Sequence, residues 1–283
     1  MLLFNFNVKA QLMPAYSNAG LDSLKAYEMQ LKLLSDSILD GTSPRIRAEA
    51  HKKYIPLLKK ALKVHGSFDY PFDSLTFMKK IVPEDKSFRM FNWLLKFEDG
   101  SFHYVAAIQL NSKDSLHLIP LYDRSDKLDD SELLVKTYDH TNWFGALYTG
   151  IIDCKIKGKK YYLLLGWNGY NLYSDEKIID VVSFDKNNQV QLGAPIFDIN
   201  GKTQTRVLFQ YFGEANFLLN YIPEQKIISF DHLAPSTPKL ANKPWMYVPD
   251  GSYDYFIFKR KKWLFKEDLF GTVKGKIKEA GGQ

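Results

Sequence analysis

Phe88-Arg89-Met90-Phe91-Asn92-Trp93-Leu94-Leu95-Lys96-Phe97 and Phe102-His103-Tyr104-Val105-Ala106-Ala107-Ile108-Gln109-Leu110 flank Glu98-Asp99-Gly100-Ser101. Two apolar, aromatic-rich runs about an Asp-Gly pair read as a β-hairpin. Both turn residues accept positive φ, and the flanking side chains pack well on a pleated surface. The same texture continues downstream. Apolar runs of strand length alternate with turn signals at Gly158, Asn168-Gly169, Asn187-Asn188, Asn200-Gly201 and Asp250-Gly251. Residues 67–270 therefore read as a mainly β domain of antiparallel sheets.

A faint repeat refines this. Tyr161–Trp167 is echoed by Arg206–Phe212, 45 residues later, and Lys177–Asp185 by Lys226–Asp231. Periods of roughly 40–50 residues with several strands each suggest propeller blades. The alternative is a β-sandwich, whose strands would be similarly spaced.

Upstream the periodicity changes. Leu21, Leu24, Leu31, Leu34 and Ile38 lie on one helical face, and Gly41 follows as a stop. Ser43-Pro44 reads as an N-cap with proline in the first turn, and Ala50, Tyr54, Leu57, Leu58, Ala61 and Leu62 mark a second face. Residues 11–66 thus form a helical N-terminal segment, a short hairpin of helices. Pro56 predicts a kink or break in the second helix, because a mid-helix proline costs about 3 kcal/mol.

Residues 1–10 carry a different signal. Leu2–Val8 resembles the end of an export leader's apolar region, and Val8-Lys9-Ala10 sets small or apolar residues before a cleavage point. The reading is the remnant of a signal peptide whose start lies upstream, and hence an exported protein, periplasmic or at the cell surface; the alternative is a cytosolic first strand. No stretch approaches the roughly 20 apolar residues of a membrane span. Residues 271–283 read as a flexible basic tail.

The chain of 283 residues is 45% hydrophobic and 15% aromatic, with net charge +6. Its Lys and Arg are spread along the sequence, so the charge reads as a solvated basic surface, and nucleic acid is not expected as a partner. A single cysteine, Cys154, excludes an intramolecular disulfide and any multi-cysteine metal site. No nucleophile elbow, phosphate-binding loop, dinucleotide fingerprint, calcium loop or HExxH helix is present. No cofactor and no metal are expected. The acids of Asp123-Arg124-Ser125-Asp126 read as a solvated loop.

The candidates that remain are Asp-His pairs and loop aromatics. Asp139-His140 and Asp231-His232 are each adjacent in sequence. Neighbours in a strand point to opposite faces, so a dyad requires one residue from each pair. Against this stands the plain role of capping strand ends. Trp143, Trp167, Asn168 and Trp245, with Tyr170, Tyr173 and Tyr247, sit in or near predicted loops, where flat rings beside amides suit a sugar, although core packing gives the same pattern. Asp250 and Tyr253 complete the set. Arg206 and Glu214 read as a cross-strand ion pair.

Several motifs together resemble a known family. Phe68–Leu75, Phe88–Trp93, Trp143–Tyr148, Tyr161–Gly169, Gly193–Phe197, Phe230–Pro235 and Val248–Asp254 are similar, in that order, to a family of secreted proteins from Bacteroidetes. The resemblance covers nearly the whole chain from Leu21 to Leu269. It implies export through a leader ending in Ala-Gln, matching Ala10-Gln11, and it carries no reaction with it. The function expected is non-catalytic binding of a glycan, a peptide or an envelope protein. The rival is a hydrolase of envelope or polysaccharide substrates using Asp and His at strand ends.

Overall fold

The computed structural model describes residues 17–270, so the stretches read as a leader remnant (1–10) and as a flexible basic tail (271–283) lie outside the described residues. Two compact units are present. One holds the chain up to Phe77 together with Leu110–His117; the other holds Met78–Gln109 and the chain from Leu118 onward. Among the described residues no helix is long and apolar enough to cross a membrane.

In the first unit, α1 (Asn18–Asp40) buries Leu24, Leu31 and Ile38, and α2 (Pro44–Leu62) buries Ala50, Tyr54, Leu58, Ala61 and Leu62. Both are capped by serine: the Ser17 side chain accepts from Gly20 N–H and that of Ser43 from Ile46 N–H. Gly41 ends α1 for want of space, since a Cβ there would lie 2.5 Å from the Ser37 carbonyl oxygen. The break expected at Pro56 does not occur, and α2 runs through it. Tyr54 and Leu58, buried on either side, hold the helix together across the missing hydrogen bond. Glu28 of α1 ties down the following loop. One carboxylate oxygen accepts from Ser74 N–H at 2.7 Å and Ser74 Oγ at 2.8 Å, and the other from the Tyr70 hydroxyl. The last helix of this unit ends at Leu62, a 3-10 turn follows at Ser67–Asp69, and the first strand begins at Lys79.

The second unit is mainly β. Its strands are β1 (Lys79–Ile81), β2 (Phe88–Lys96), β3 (Phe102–Leu110), β4 (Leu118–Tyr122), β5 (Tyr138–Asp139), β6 (Leu147–Ile156), β7 (Lys159–Asn168), β8 (Ser174–Phe184), β9 (Val190–Leu192), β10 (Phe197–Ile199), β11 (Lys202–Gln204), β12 (Val207–Phe212), β13 (Leu219–Ile222), β14 (Ile227–Pro235), β15 (Tyr247–Lys259) and β16 (Lys262–Lys266), with a one-turn helix α3 (Asp130–Leu133) before β5. They form three sheets: β1-β2-β3-β4; β5-β9-β8-β7-β6, with β12 also paired to β8; and β11-β10-β16-β15-β14-β13. Each contains a four-stranded meander of consecutive strands. The hairpin at Asp99-Gly100 forms, with Gly100 at φ 84. The pairing is not wholly antiparallel, because β10 lies parallel to β16.

The middle sheet is covered on both faces. Ile152, Leu163, Leu165, Ile179 and Val181 pack against Ile228, Phe230, Phe256 and Trp263 of the third sheet. On the other face, Phe88 of β2 sets its ring edge-on to Tyr162 at 4.9 Å and near Phe184 at 5.4 Å. Double burial explains why β7 reads as a continuous apolar run and not as an alternation.

The repeat seen in the sequence does not mark equivalent strands. β12, the echo of Tyr161–Trp167, joins the edge of β8 in the middle sheet, whereas β14 holds the place in its meander that β7 holds in its own. The likeness is one of strand chemistry. Asp250-Gly251 likewise does not end a strand. β15 passes through it, and the register slips opposite His232 between Asp231 and Leu233.

Candidate functional site

The loop between β7 and β8 projects its apolar side chains into solvent. Tyr170, Leu172 and Tyr173 are 44%, 74% and 71% exposed. The loop is nevertheless held firmly. Asn171 Oδ1 accepts from Tyr173 N–H at 2.8 Å and Ser174 N–H at 3.0 Å, and its Nδ2 donates to Ser174 Oγ at 2.9 Å. At its base, Gly169 N–H donates to the Tyr104 hydroxyl at 2.8 Å. Gly169 admits no side chain, because a Cβ would meet the Phe102 ring at 2.4 Å. Gly213 N–H donates to the Tyr173 carbonyl at 2.9 Å, so β12 braces the far end.

Two clefts flank this loop and share Tyr170 and Asn171. The smaller, about 620 Å³, is lined further by Tyr173, Gln210, Trp245 and Met246. Trp245 sits in the 3-10 turn before β15 and is 42% exposed. Gln210 Nε2 donates to Ser174 Oγ at 3.2 Å, which fixes its amide at the cleft floor. Three exposed aromatic rings and two side-chain amides thus face one hollow.

The larger cleft, about 850 Å³, lies between the β2–β3 turn, the 123–127 segment after β4, and the same loop. Its wall carries His103, Asp123, Arg124 and Lys127. His103 Nδ1 stands 3.4 Å from Asp123 Oδ2, with the His side chain 48% exposed and the Asp side chain 7%. Asp123 is fixed from behind. Oδ2 accepts from Tyr104 N–H at 2.9 Å, and Oδ1 from Ser125 N–H at 3.0 Å and Ser125 Oγ at 2.6 Å. Gly145 lets this carboxylate in, since a Cβ there would lie 2.5 Å from it.

The residues anticipated from sequence fall into three groups. Trp245, Tyr170 and Tyr173 meet at the smaller cleft, and Asn168 borders the larger one. Asn168 is buried, with its Nδ2 donating to the Gly145 carbonyl, so it serves the wall more than a ligand. Trp167 stands behind that wall, half-buried, with Nε1 on Asp175 at 2.9 Å and its ring edge-on to Phe102 at 5.3 Å. Trp143 is a correction. It is fully buried, and its Nε1 donates to the Tyr148 hydroxyl at 3.1 Å, so no ligand reaches it.

The Asp-His pairs do not combine. Asp139 accepts from Thr141 Oγ1 at 2.6 Å and Thr141 N–H at 2.9 Å, bonds that hold its carboxyl below the usual range, while His140 Nδ1 donates to the Pro120 carbonyl at 2.9 Å. Asp231 is buried and accepts from Leu218 N–H at 2.7 Å. His232, on the bulge, pairs instead with buried Asp254 at 2.7 Å, and that bond raises its pKa. Asp250 accepts from Ser252, and Tyr253 rests against Phe270 at 5.6 Å. Among the described residues no hydrogen bond joins Asp139-His140 to Asp231-His232, and neither pair lines either of these two clefts. Arg206 pairs with Asp180, not Glu214.

Nothing in the sequence marks His103, and the reading of Asp123 as a solvated loop acid is a correction, since that side chain is only 7% exposed. His103 occupies an ordinary strand position, and Asp123 looks like one more loop acid. Asp-x-Ser/Thr occurs at Asp40, Asp85, Asp99, Asp123, Asp129, Asp139 and Asp250, and in the last six the aspartate accepts from the amide two residues on. Burial behind a histidine distinguishes Asp123, and no local pattern encodes it. Among the described residues no three His, Cys, Asp or Glu side chains converge where a metal ion could sit. Comparison with protein-family models, curated proteins and solved structures gives no match to this chain.

Proposed function

We propose that the chain is an exported sugar-binding protein whose ligand lies across the two clefts that share Tyr170 and Asn171. The carrying observation is the set of exposed rings at one hollow, Tyr170 and Tyr173 from a braced loop and Trp245 from the turn before β15, beside the amides of Asn171 and Gln210. Sugars present flat C–H faces that stack on such rings and hydroxyl groups that bond to such amides, and a rigid site loses little entropy on binding. Export is supported by the leader-like residues 1–10 and by the resemblance to secreted Bacteroidetes proteins. Three successive four-stranded meanders support a propeller-like reading of the sheets over a two-sheet sandwich.

Titration with soluble cello-, xylo-, manno- and chito-oligosaccharides, followed by tryptophan fluorescence, tests the proposal. One class is expected to bind and to raise the melting temperature. Trp245→Ala and Tyr173→Ala are each expected to weaken that binding about tenfold, the loss of roughly 1.4 kcal/mol of stacking. If no oligosaccharide binds, or if both variants bind as well as the parent, the reading is wrong and a peptide or envelope protein becomes the occupant to seek.

A further inference from the structure

We propose that the larger cleft is hydrolytic, with His103 as general base for the cleavage of a carboxylic ester carried by the bound sugar, and Asp123 as its positioning residue. This rests on the sugar-binding reading and adds a reaction to it.

The argument begins with Asp123. Of the six such turns that cap an amide among the described residues, five keep their aspartate at the surface, Asp85 there also accepting from Lys160 and the Tyr162 hydroxyl. Asp123 is withdrawn to 7% exposure, receives three protein donors, and faces a half-exposed histidine at 3.4 Å. An aspartate fixed by its neighbours and set against one imidazole nitrogen orients the ring and selects its tautomer. With Nδ1 on the Asp123 side at 3.4 Å, Nε2 is the nitrogen left for a ligand in the cleft. The separation is long for a hydrogen bond, as such contacts often are before substrate binds.

The nucleophile follows by elimination among the cleft's serine hydroxyls. Ser101 Oγ donates to Asp99 at 2.6 Å, and Ser125 Oγ donates to Asp123 at 2.6 Å while accepting from Gly145 N–H at 2.9 Å. Both serines are engaged by carboxylates and are not activated by the histidine, so water attacks. As the water oxygen bonds to the carbonyl carbon, Nε2 takes its proton, and the C=O electron pair moves onto oxygen. Arg124 and Lys127, exposed on the same wall, stabilise that charge. On collapse the bond to the sugar oxygen breaks, and that oxygen takes the proton back from His103. The products are the free acid and the free hydroxyl. The adjoining aromatic hollow gives the sugar its place, which makes an acyl group on a polysaccharide hydroxyl the fitting substrate.

The test uses the full chain with p-nitrophenyl acetate and with acetylated xylan, releasing nitrophenol and acetate respectively. The parent is expected to exceed His103→Gln by a hundredfold or more, within the usual range for a general base. Melting and far-ultraviolet spectra establish that the variant folds. The parent rate is expected to rise with pH through one histidine ionisation, and Asp123→Asn to displace that profile, which a purely structural aspartate would not do. Equal rates in parent and His103→Gln, or a rate independent of pH, overturn the proposal. Should that happen while oligosaccharide binding persists, the catalytic inference fails and the sugar-binding reading stands. If binding is absent too, both fail.

Discussion

Asp139 and Asp123 occupy the same short pattern, an aspartate two residues before a serine or threonine, and their surroundings separate them. The Asp139 carboxylate stays at the surface and spends one oxygen, Oδ1, on its own turn. His232 shows how such surroundings become measurable. Its hydrogen bond to Asp254 raises its pKa above the ordinary value of 6.5, burial opposes this, and the charges of Asp254, Asp250 and Glu267 add to the rise. A raised folded-state value means that protonation favours the fold. The contribution is complete below the unfolded value of 6.5 and disappears as pH climbs through the raised folded value. The imidazole is more than a third exposed, so solvent screens the effect and only a shallow slope is expected. Melting temperatures measured across that window for the parent and His232→Gln should converge on the alkaline side and diverge on the acid side. Parallel curves would refute the assignment.

Elements were legible in the sequence where local chemistry decides them. The hairpin at Asp99-Gly100, both serine helix caps and the stop at Gly41 could all be read from turn and cap residues. What escaped was set by contacts distant in sequence. β12 adds to β8, β10 runs parallel to β16, and nothing within either short strand specifies its partner. The candidate site divides in the same way: the exposed rings of Tyr170, Tyr173 and Trp245 were legible as loop aromatics, whereas the pairing of His103 with Asp123 joins two segments through the fold. The continuity of α2 through Pro56 is another non-local result, because the packing of Tyr54 and Leu58 overrides the local penalty. A mid-helix proline costs about 3 kcal/mol, while its stiffening of the unfolded chain returns about 0.4–1 kcal/mol. Pro56→Ala is therefore expected to stabilise the helical unit by about 2 kcal/mol in urea denaturation followed at the helical circular-dichroism band. A loss of stability would mean that α2 depends on the proline.

For the β unit as a whole, the decisive feature is a charged group inside the middle sheet. Arg206 and Asp180 are 1% and 0% exposed and meet at 3.1 Å. Arg206 also donates to the carbonyls of Leu192 at 3.1 Å and of Leu133, so one guanidinium joins β8, β9, the end of α3 and the approach to β12. Asp180 in turn accepts from the Tyr148 hydroxyl at 3.0 Å, which extends the network to the buried Trp143. Such a pair adds little net stability against a well-packed apolar equivalent, because desolvation offsets the attraction. Removing one partner, however, strands the other and costs about 3–5 kcal/mol. Arg206→Met is expected to destabilise by that amount in urea unfolding, and Asp180→Asn in the same background to recover part of the loss, since the stranded charge is then gone. The clefts stand on the ends of β7 and β8, so ligand binding by the folded fraction of either variant should remain near the parent value. Additive losses in the double variant would show that the two side chains are not coupled and that the sheet's junctions are held by hydrophobic packing alone.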